Sequence, residues 1–204
     1  MSAQVLSVSL PSEIIYVSGT VNGTAYTWTL IDGAWTATVE RAADDTYAVA
    51  LTAVTAAGVS TNYTLTLYYG LLSLITDRTR ADVANQTDKG FYNASDLNRV
   101  GAAVEYIAGR FAALGYDCPV TVKKDWLTTD APTASQLETY RQNIVTLRGQ
   151  IAVMQSTPEA PASMAGLNYV KANNIEQILL DLDALIDKLI KSWCFSGELY
   201  AGEV

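Results

Sequence analysis

The chain has 204 residues, half of them hydrophobic and 17% charged, with a net charge of −8. That length suffices for one large domain or two small ones with a proper core, and so acidic a chain is a poor ligand for phosphate backbones, which demand clustered cations. It contains no histidine, which removes the commonest general base, the commonest metal ligand and every Ser–His triad.

The opening residues, MSAQVLSVSLPSE, lack a basic start and a long apolar run, so no secretory leader is expected. A first strand is expected in QVLSVSL. Two hairpin signals follow, Asn22-Gly23 and Asp32-Gly33, dipeptides suited to two-residue turns with positive φ. Such turns fix register. Val17 is set opposite Trp28 and Ile15 opposite Leu30; Leu30 is set opposite Trp35 and Trp28 opposite Ala37. The expected meander therefore carries Ile15, Val17, Tyr26, Trp28, Leu30, Trp35, Ala37 and Val39 on one face. Thr20, Thr27, Thr29, Thr36 and Thr38 lie on the other. This threonine face reads as a solvated β surface or as a flat contact surface. TYAVALTAV and NYTLTLYY alternate apolar residues at Tyr47, Val49, Leu51 and Ala53, and at Tyr63, Leu65, Leu67 and Tyr69. They are expected to supply a second sheet that covers the first. About six strands at this spacing point to an Ig-like sandwich over residues 1–70. Asp44 and Asp45 read as a turn rather than a calcium site.

Residues 71–92 read as a charged connector with a short helical turn near Thr79–Ala84. Three helices are then expected within residues 93–204. The first starts at Asn93 or Ser95, with Asp96 at the positive end of its dipole; it runs through Leu97, Gly101, Val104, Ala108 and Phe111 and stops at Gly115. The second opens on a capping box, Thr133 with Gln136. It carries Leu137, Tyr140, Ile144, Leu147, Ile151 and Met154 at heptad spacing, a seam expected to pack on the other helices or on a second copy. The third runs from Tyr169 to Trp193 with a broad stripe of Ile175, Ile178, Leu179, Leu182, Leu185, Ile186, Leu189 and Trp193. A short strand or ordered tail is expected in CFSGELYAGEV.

Candidates for chemistry are few. Asp183 and Asp187 share a helix face at i, i+4, on what reads as the charged, solvent-facing side. Cys118 and Cys194 read as small hydrophobes; two distant cysteines make neither a disulfide framework nor a zinc site. Lys123-Lys124-Asp125-Trp126 is one basic pair beside an aromatic, too small for nucleic-acid binding. Asn173 and Asn174 sit on a helix with no evident partner. No stretch reaches the ~18 apolar residues of a membrane span. The expectation is a protein that is not an enzyme and takes no cofactor and no metal.

Four stretches carry a likeness to a known family: KGFYNASDLNRVGAAVEYIA, VKKDWLTTDAPTASQLETYRQNIVTLR, TPEAPASMAGLNYVKANNIEQILLDLDALI and SWCFSGELYAGEV. In this order and spacing they resemble a helical module of structural proteins from tailed bacteriophages and prophages of Gram-positive gut bacteria. The resemblance covers about residues 74–204, and the preceding segment looks like the Ig-like domains often fused ahead of such modules. It implies an α+β chain of two modules and a place in the virion, in the tail tip, baseplate or fibre. Its expected partners are copies of itself and other virion proteins. A capsid decoration or head-fibre role is one alternative. Another is a carbohydrate- or receptor-binding module, with Trp28, Trp35, Tyr63 and Tyr69 as stacking aromatics and a host-surface glycan as partner. A third is an enzyme acting on wall polymers.

Overall fold

The computed structural model describes residues 3–43, 45–69 and 74–192. Seven strands come first: β1 (Ala3–Val8), β2 (Ile14–Val21), β3 (Thr24–Thr27), β4 (Thr29–Ile31), β5 (Ala34–Glu40), β6 (Thr46–Thr55) and β7 (Ser60–Tyr68). Helices follow: α1 (Arg80–Ala84), a 3-10 turn at Asp88–Gly90, α2 (Ala94–Ala113), α3 (Ala134–Arg148) and α4 (Tyr169–Ser192). The class is α+β. The expected strand or tail beyond Ser192, with Trp193 and Cys194, lies outside the described residues.

Both hairpin turns form as their dipeptides require. Asn22 and Gly23 have φ of 49° and 80°, and Asp32 and Gly33 have 49° and 82°. The pairs Ser18↔Thr27 and Leu30↔Trp35 have the register expected from those turns. The grouping into sheets differs. The strand after Asn22-Gly23 pairs with β2 only as far as Thr27; at Trp28 the chain leaves that sheet, and β4 pairs with β5 in the other. The sheets are therefore β3-β2-β6-β7 and β1-β5-β4, all antiparallel, not a meander covered by β6 and β7. Trp28 sits buried at the crossing, and Trp35, Ala37, Val39, Val17, Tyr47, Val49, Leu51, Ala53, Leu65 and Leu67 fill the space between the sheets. Ile15 and Leu30, expected in this core, are exposed. A bulge between Ile14 and Tyr16 leaves Ile15 without a cross-strand partner, and β4 is an edge strand lying beyond the cover of the opposite sheet.

The helix starts follow their sequence signals. Thr79 with Asp82, Asn93 with Asp96, and Thr133 with Gln136 each form a reciprocal capping box. Gly115, just past the end of α2, takes the left-handed φ of 85° that ends a helix. Helix α3 is shorter than its heptad seam. It ends at Arg148 with Gly149 as C-cap, so Ile151 and Met154 lie in the following loop. Glycine and the β-branched Ile151 and Val153 disfavour continuation. Arg148 instead turns its guanidinium to the carbonyl of Pro158 (2.8 Å) and the carboxylate of Glu159 (2.7 Å).

The three long helices share one core. Val100, Ile107 and Phe111 of α2, Ile144 and Leu147 of α3, and Ile175, Ile178, Leu179, Leu182 and Ile186 of α4 are fully buried in it. The stripe of α4 also carries an acid. Glu176 is 0% exposed, one turn before Leu179. Its Oε1 accepts from Arg78 (2.7 Å) and Arg99 (3.0 Å), while its Oε2 accepts from Arg99 Nε (3.1 Å) and from the backbone N–H of Ile75 (2.5 Å). Asp96 closes the cluster through Oδ1, which accepts from Arg78 and Arg99. Two arginines and two carboxylates are thus neutralised inside the protein, joining the connector, α2 and α4. Burial alone would push the Arg99 guanidinium down; the bond to Glu176 and the charges of Glu176 and Asp96 outweigh it and hold it above its ordinary value.

Removing one member of a buried ionic cluster leaves its partners charged and uncompensated, at a cost of roughly 3–5 kcal/mol. Glu176→Ala is therefore expected to lower the urea midpoint severely or prevent folding. Asp187→Ala, at a solvent-exposed pair with Arg110, is expected to leave the midpoint nearly unchanged. Similar midpoints for the two variants would show that the cluster does not organise the fold.

Candidate functional site: the seam and cleft between sheet and helices

The segment 114–133 between α2 and α3 has no regular secondary structure, yet Asp125, Trp126 and Leu127 within it are buried. Its backbone groups are paired by side-chain amides. Asn98 on α2 accepts from the N–H of Trp126 (2.6 Å) and donates to its carbonyl (2.9 Å) and to that of Thr66 on β7 (3.0 Å). Asn143 on α3 does the same for Thr121, accepting at 3.1 Å and donating at 2.7 Å. Asn173 on α4 brackets Arg78 in the connector at 3.0 and 2.9 Å. Each amide offers one acceptor and one donor with the spacing of a neighbouring strand. Asn98 is a fully buried bridge between helix, loop and sheet. Gly101 lies below the same loop; a Cβ there would stand 2.8 Å from the carbonyl oxygen of Lys123.

The loop also joins the two cores. Trp126 packs among the helices, while its neighbour Leu127 packs with the sheet residues. Asp125 accepts from the N–H of Ser9 after β1 (2.5 Å). Arg99 lies over the ring of Tyr68, and Lys124 over that of Tyr69. Tyr69 donates its hydroxyl to the carbonyl of Val5 (3.2 Å). Contacts of this number and kind fix how the sheets sit on the helices.

Between them lies a cleft of about 710 Å³. Its floor is the outer face of the larger sheet, with Thr20, Ala48, Ala50, Thr64 and Thr66; its other wall is the start of α2 and residues 126–132. The size suits a small ligand, but the lining is mostly hydroxyl and methyl groups. Its one lining carboxylate, Asp130, accepts from the N–H of Leu127 (3.1 Å) and lies 3.6 Å from Lys123 Nζ. No second acid in the lining faces it as an acid–base pair. Of the threonines assigned to one face from sequence, only Thr20 lines this cleft. Among the described residues, no group of three or more Cys, Asp or Glu is placed to hold a metal ion.

The residues expected to form an interface are accounted for within the chain. Tyr140, Ile144 and Leu147 are buried in the helical core, with Leu137 and Ile151 packed partly against it and Met154 half-buried. The seam thus serves the chain's own bundle. Asp183 and Asp187, expected on the solvent-facing side of the helix, are half-buried and exposed respectively, and both hold Arg110 of α2. Trp28 and Trp35 are buried as the register predicts, and Tyr69 is bound edge-on to Tyr47. Those ring faces are not offered to a sugar. The buried cluster around Glu176 was missed from sequence. Its signal was present: an acid on an otherwise apolar helical stripe requires a cation nearby.

Three tyrosines give the seam a dependence on alkaline pH. Burial raises Tyr69, with Glu105, Tyr47 and Asp125 adding to it, to about 12. Burial also raises Tyr92 and Tyr140, whose hydroxyls bond to each other. The folded chain therefore keeps protons that the unfolded chain releases near the ordinary tyrosine value of 10.0. Stability should hold below that pH and fall as pH rises from about 10 towards 12. Tyr69→Phe is expected to flatten the fall, as read by urea midpoints across that range; an unchanged slope would remove Tyr69 from the account.

No helix among the described residues is long and apolar enough to cross a membrane. No family model matches the chain, and no curated protein and no solved structure matches it.

Proposed function

We propose that the chain is a non-enzymatic structural protein of a tailed-bacteriophage particle, in the tail tip, baseplate or fibre, acting by protein–protein assembly. In this reading an Ig-like sandwich over residues 1–70 is joined through residues 71–92 to a three-helix module over residues 93–204. The observation that carries the reading is the seam. Asn98, Asp125, Leu127 and the two cation–ring contacts hold sheet and helices in one fixed relation. A part that must present surfaces at a set distance and angle to its neighbours needs that rigidity; a pair of freely linked modules would not supply it. The likeness of residues 74–204 to helical modules of virion proteins supports the same reading. So does the commitment of the polar side chains around the cleft to holding backbone in place.

Particles purified from the producing host, probed with an antibody to this chain, should carry it at a constant stoichiometry at one location in electron micrographs. Cross-linking mass spectrometry should join it to other particle proteins. Recovery of the chain only from the particle-free lysate would overturn the proposal.

A further inference from the structure

The chain contains one Asn-Gly pair, Asn22-Gly23, and one Asp-Gly pair, Asp32-Gly33. Both occupy two-residue turns with nearly the same backbone, φ of 49° and 80° in the first and 49° and 82° in the second. One reaction is open to both. The backbone nitrogen of the glycine attacks Cγ of the residue before it and closes a five-membered succinimide ring. Glycine has no side chain to hinder the approach, and beyond the chain neighbours no atom lies within 4 Å of where a Cβ would stand at Gly23 or Gly33. In an unstructured chain the asparagine pair reacts faster, because a neutral amide accepts the attack more readily than an ionised carboxylate does.

The fold treats the two turns differently. Asn22 is tied to β6 three times. Its N–H donates to the carbonyl of Ala48 (2.8 Å), its Oδ1 accepts from the N–H of Ala48 (2.8 Å), and its Nδ2 donates to the carbonyl of Thr46 (3.4 Å). The side-chain amide thus continues the pairing of β2 with β6 past Val21↔Val49, while β2 is bonded to β3 on its other side. Turning Cγ of Asn22 towards the nitrogen of Gly23 breaks both side-chain bonds. Asp32 has no such tie. It is exposed, and its carboxylate makes no hydrogen bond or ion pair among the described residues. Its turn joins β5 to β4, a strand of three residues at the edge of the smaller sheet. A short strand with one neighbour opens at lower cost than one held on both sides.

We propose that Asp32 is a site of isoaspartate formation, and that the fold reverses the order of reactivity the two dipeptides have on their own. The nitrogen of Gly33 forms a bond to Cγ of Asp32. The bond from Cγ to its hydroxyl oxygen breaks, and that oxygen leaves as water with the amide proton. Water then adds at the main-chain carbonyl carbon of Asp32 and breaks its bond to the nitrogen of Gly33. The chain now runs through Cγ, the former main-chain carbonyl is a free carboxylate, and nothing has been oxidised or reduced. One methylene has entered the backbone of a turn built for two residues, so Ile31↔Ala34 can no longer flank it in register. The product belongs to the substrate class of methyltransferases that esterify isoaspartyl carboxylates from S-adenosylmethionine.

The test holds the full chain, folded, just below neutral pH for weeks and then measures methyl transfer from labelled S-adenosylmethionine by an isoaspartyl methyltransferase. Label is expected to accumulate, to map to the chymotryptic peptide that contains Asp32, and to be lost in Asp32→Glu, whose longer side chain cannot close the five-membered ring. Asn22 should keep its amide, read as an unchanged mass of its own peptide. In urea the order should reverse, with Asn22 losing ammonia first. Asp32→Asn puts the same dipeptide in both turns. At mildly alkaline pH the folded variant should lose ammonia several-fold faster at position 32 than at Asn22. Equal rates in that variant, faster loss at Asn22, absence of label from the folded chain, or label indifferent to Asp32→Glu would each overturn the proposal.

Discussion

Glu176 places a full negative charge at the centre of the helical core, and that charge has to be answered from three directions. A lone carboxylate there would lose hydration at a cost of several kcal/mol, a large part of the stability of a small protein. Arg78 comes from the connector, Arg99 from α2, and the N–H of Ile75 from the chain just before Arg78. Asp96 then balances the second arginine while also capping α2. The same four charges thus set the start of α2, the rotation of α4 and the path of residues 75–78. An apolar substitute would bury as much surface but would permit other rotations of the helices. Directional bonds select one arrangement, which is the use of buried ion clusters that the geometry here supports.

The amides of Asn98, Asn143 and Asn173 solve a related problem. Long segments without secondary structure are normally confined to the surface, because their backbone groups need water. Residues 120–127 run between two hydrophobic cores instead. Each helix-borne amide replaces one residue of a missing strand neighbour, and the segment can then carry Trp126 into one core and Leu127 into the other. Rigidity between sheet and helices follows from this arrangement.

What the sequence made legible was local. Asn22-Gly23 and Asp32-Gly33 specify positive φ at adjacent residues, so turn type and register could be read before any tertiary fact. The three capping boxes are equally local, each complete within four residues. The alternation of Tyr47, Val49, Leu51 and Ala53 gave the inner face of β6 for the same reason. What failed was non-local. Nothing within residues 24–31 announces that Trp28 will carry the chain from one sheet to the other, because that choice depends on how β6 and β1 compete for β2 and β5. The reading of Ile15 and Leu30 as core fell with it. The partners of Glu176 lie 77 and 98 residues away, and the cleft is made of pieces from both halves of the chain. Only the anomaly itself, an acid among leucines, could be seen in one window.

The distribution of charge gives these facts a common sense. Cations are concentrated in the helical half, where Arg78, Arg99, Arg110, Lys123 and Lys124 are each spent on a carboxylate or an aromatic ring of the same chain. Residues 1–39 carry only Glu13 and Asp32. Water-facing sheet edges gain solubility from charge, yet residues 14–31 carry none while Ile15, Tyr16, Leu30 and Ile31 are exposed.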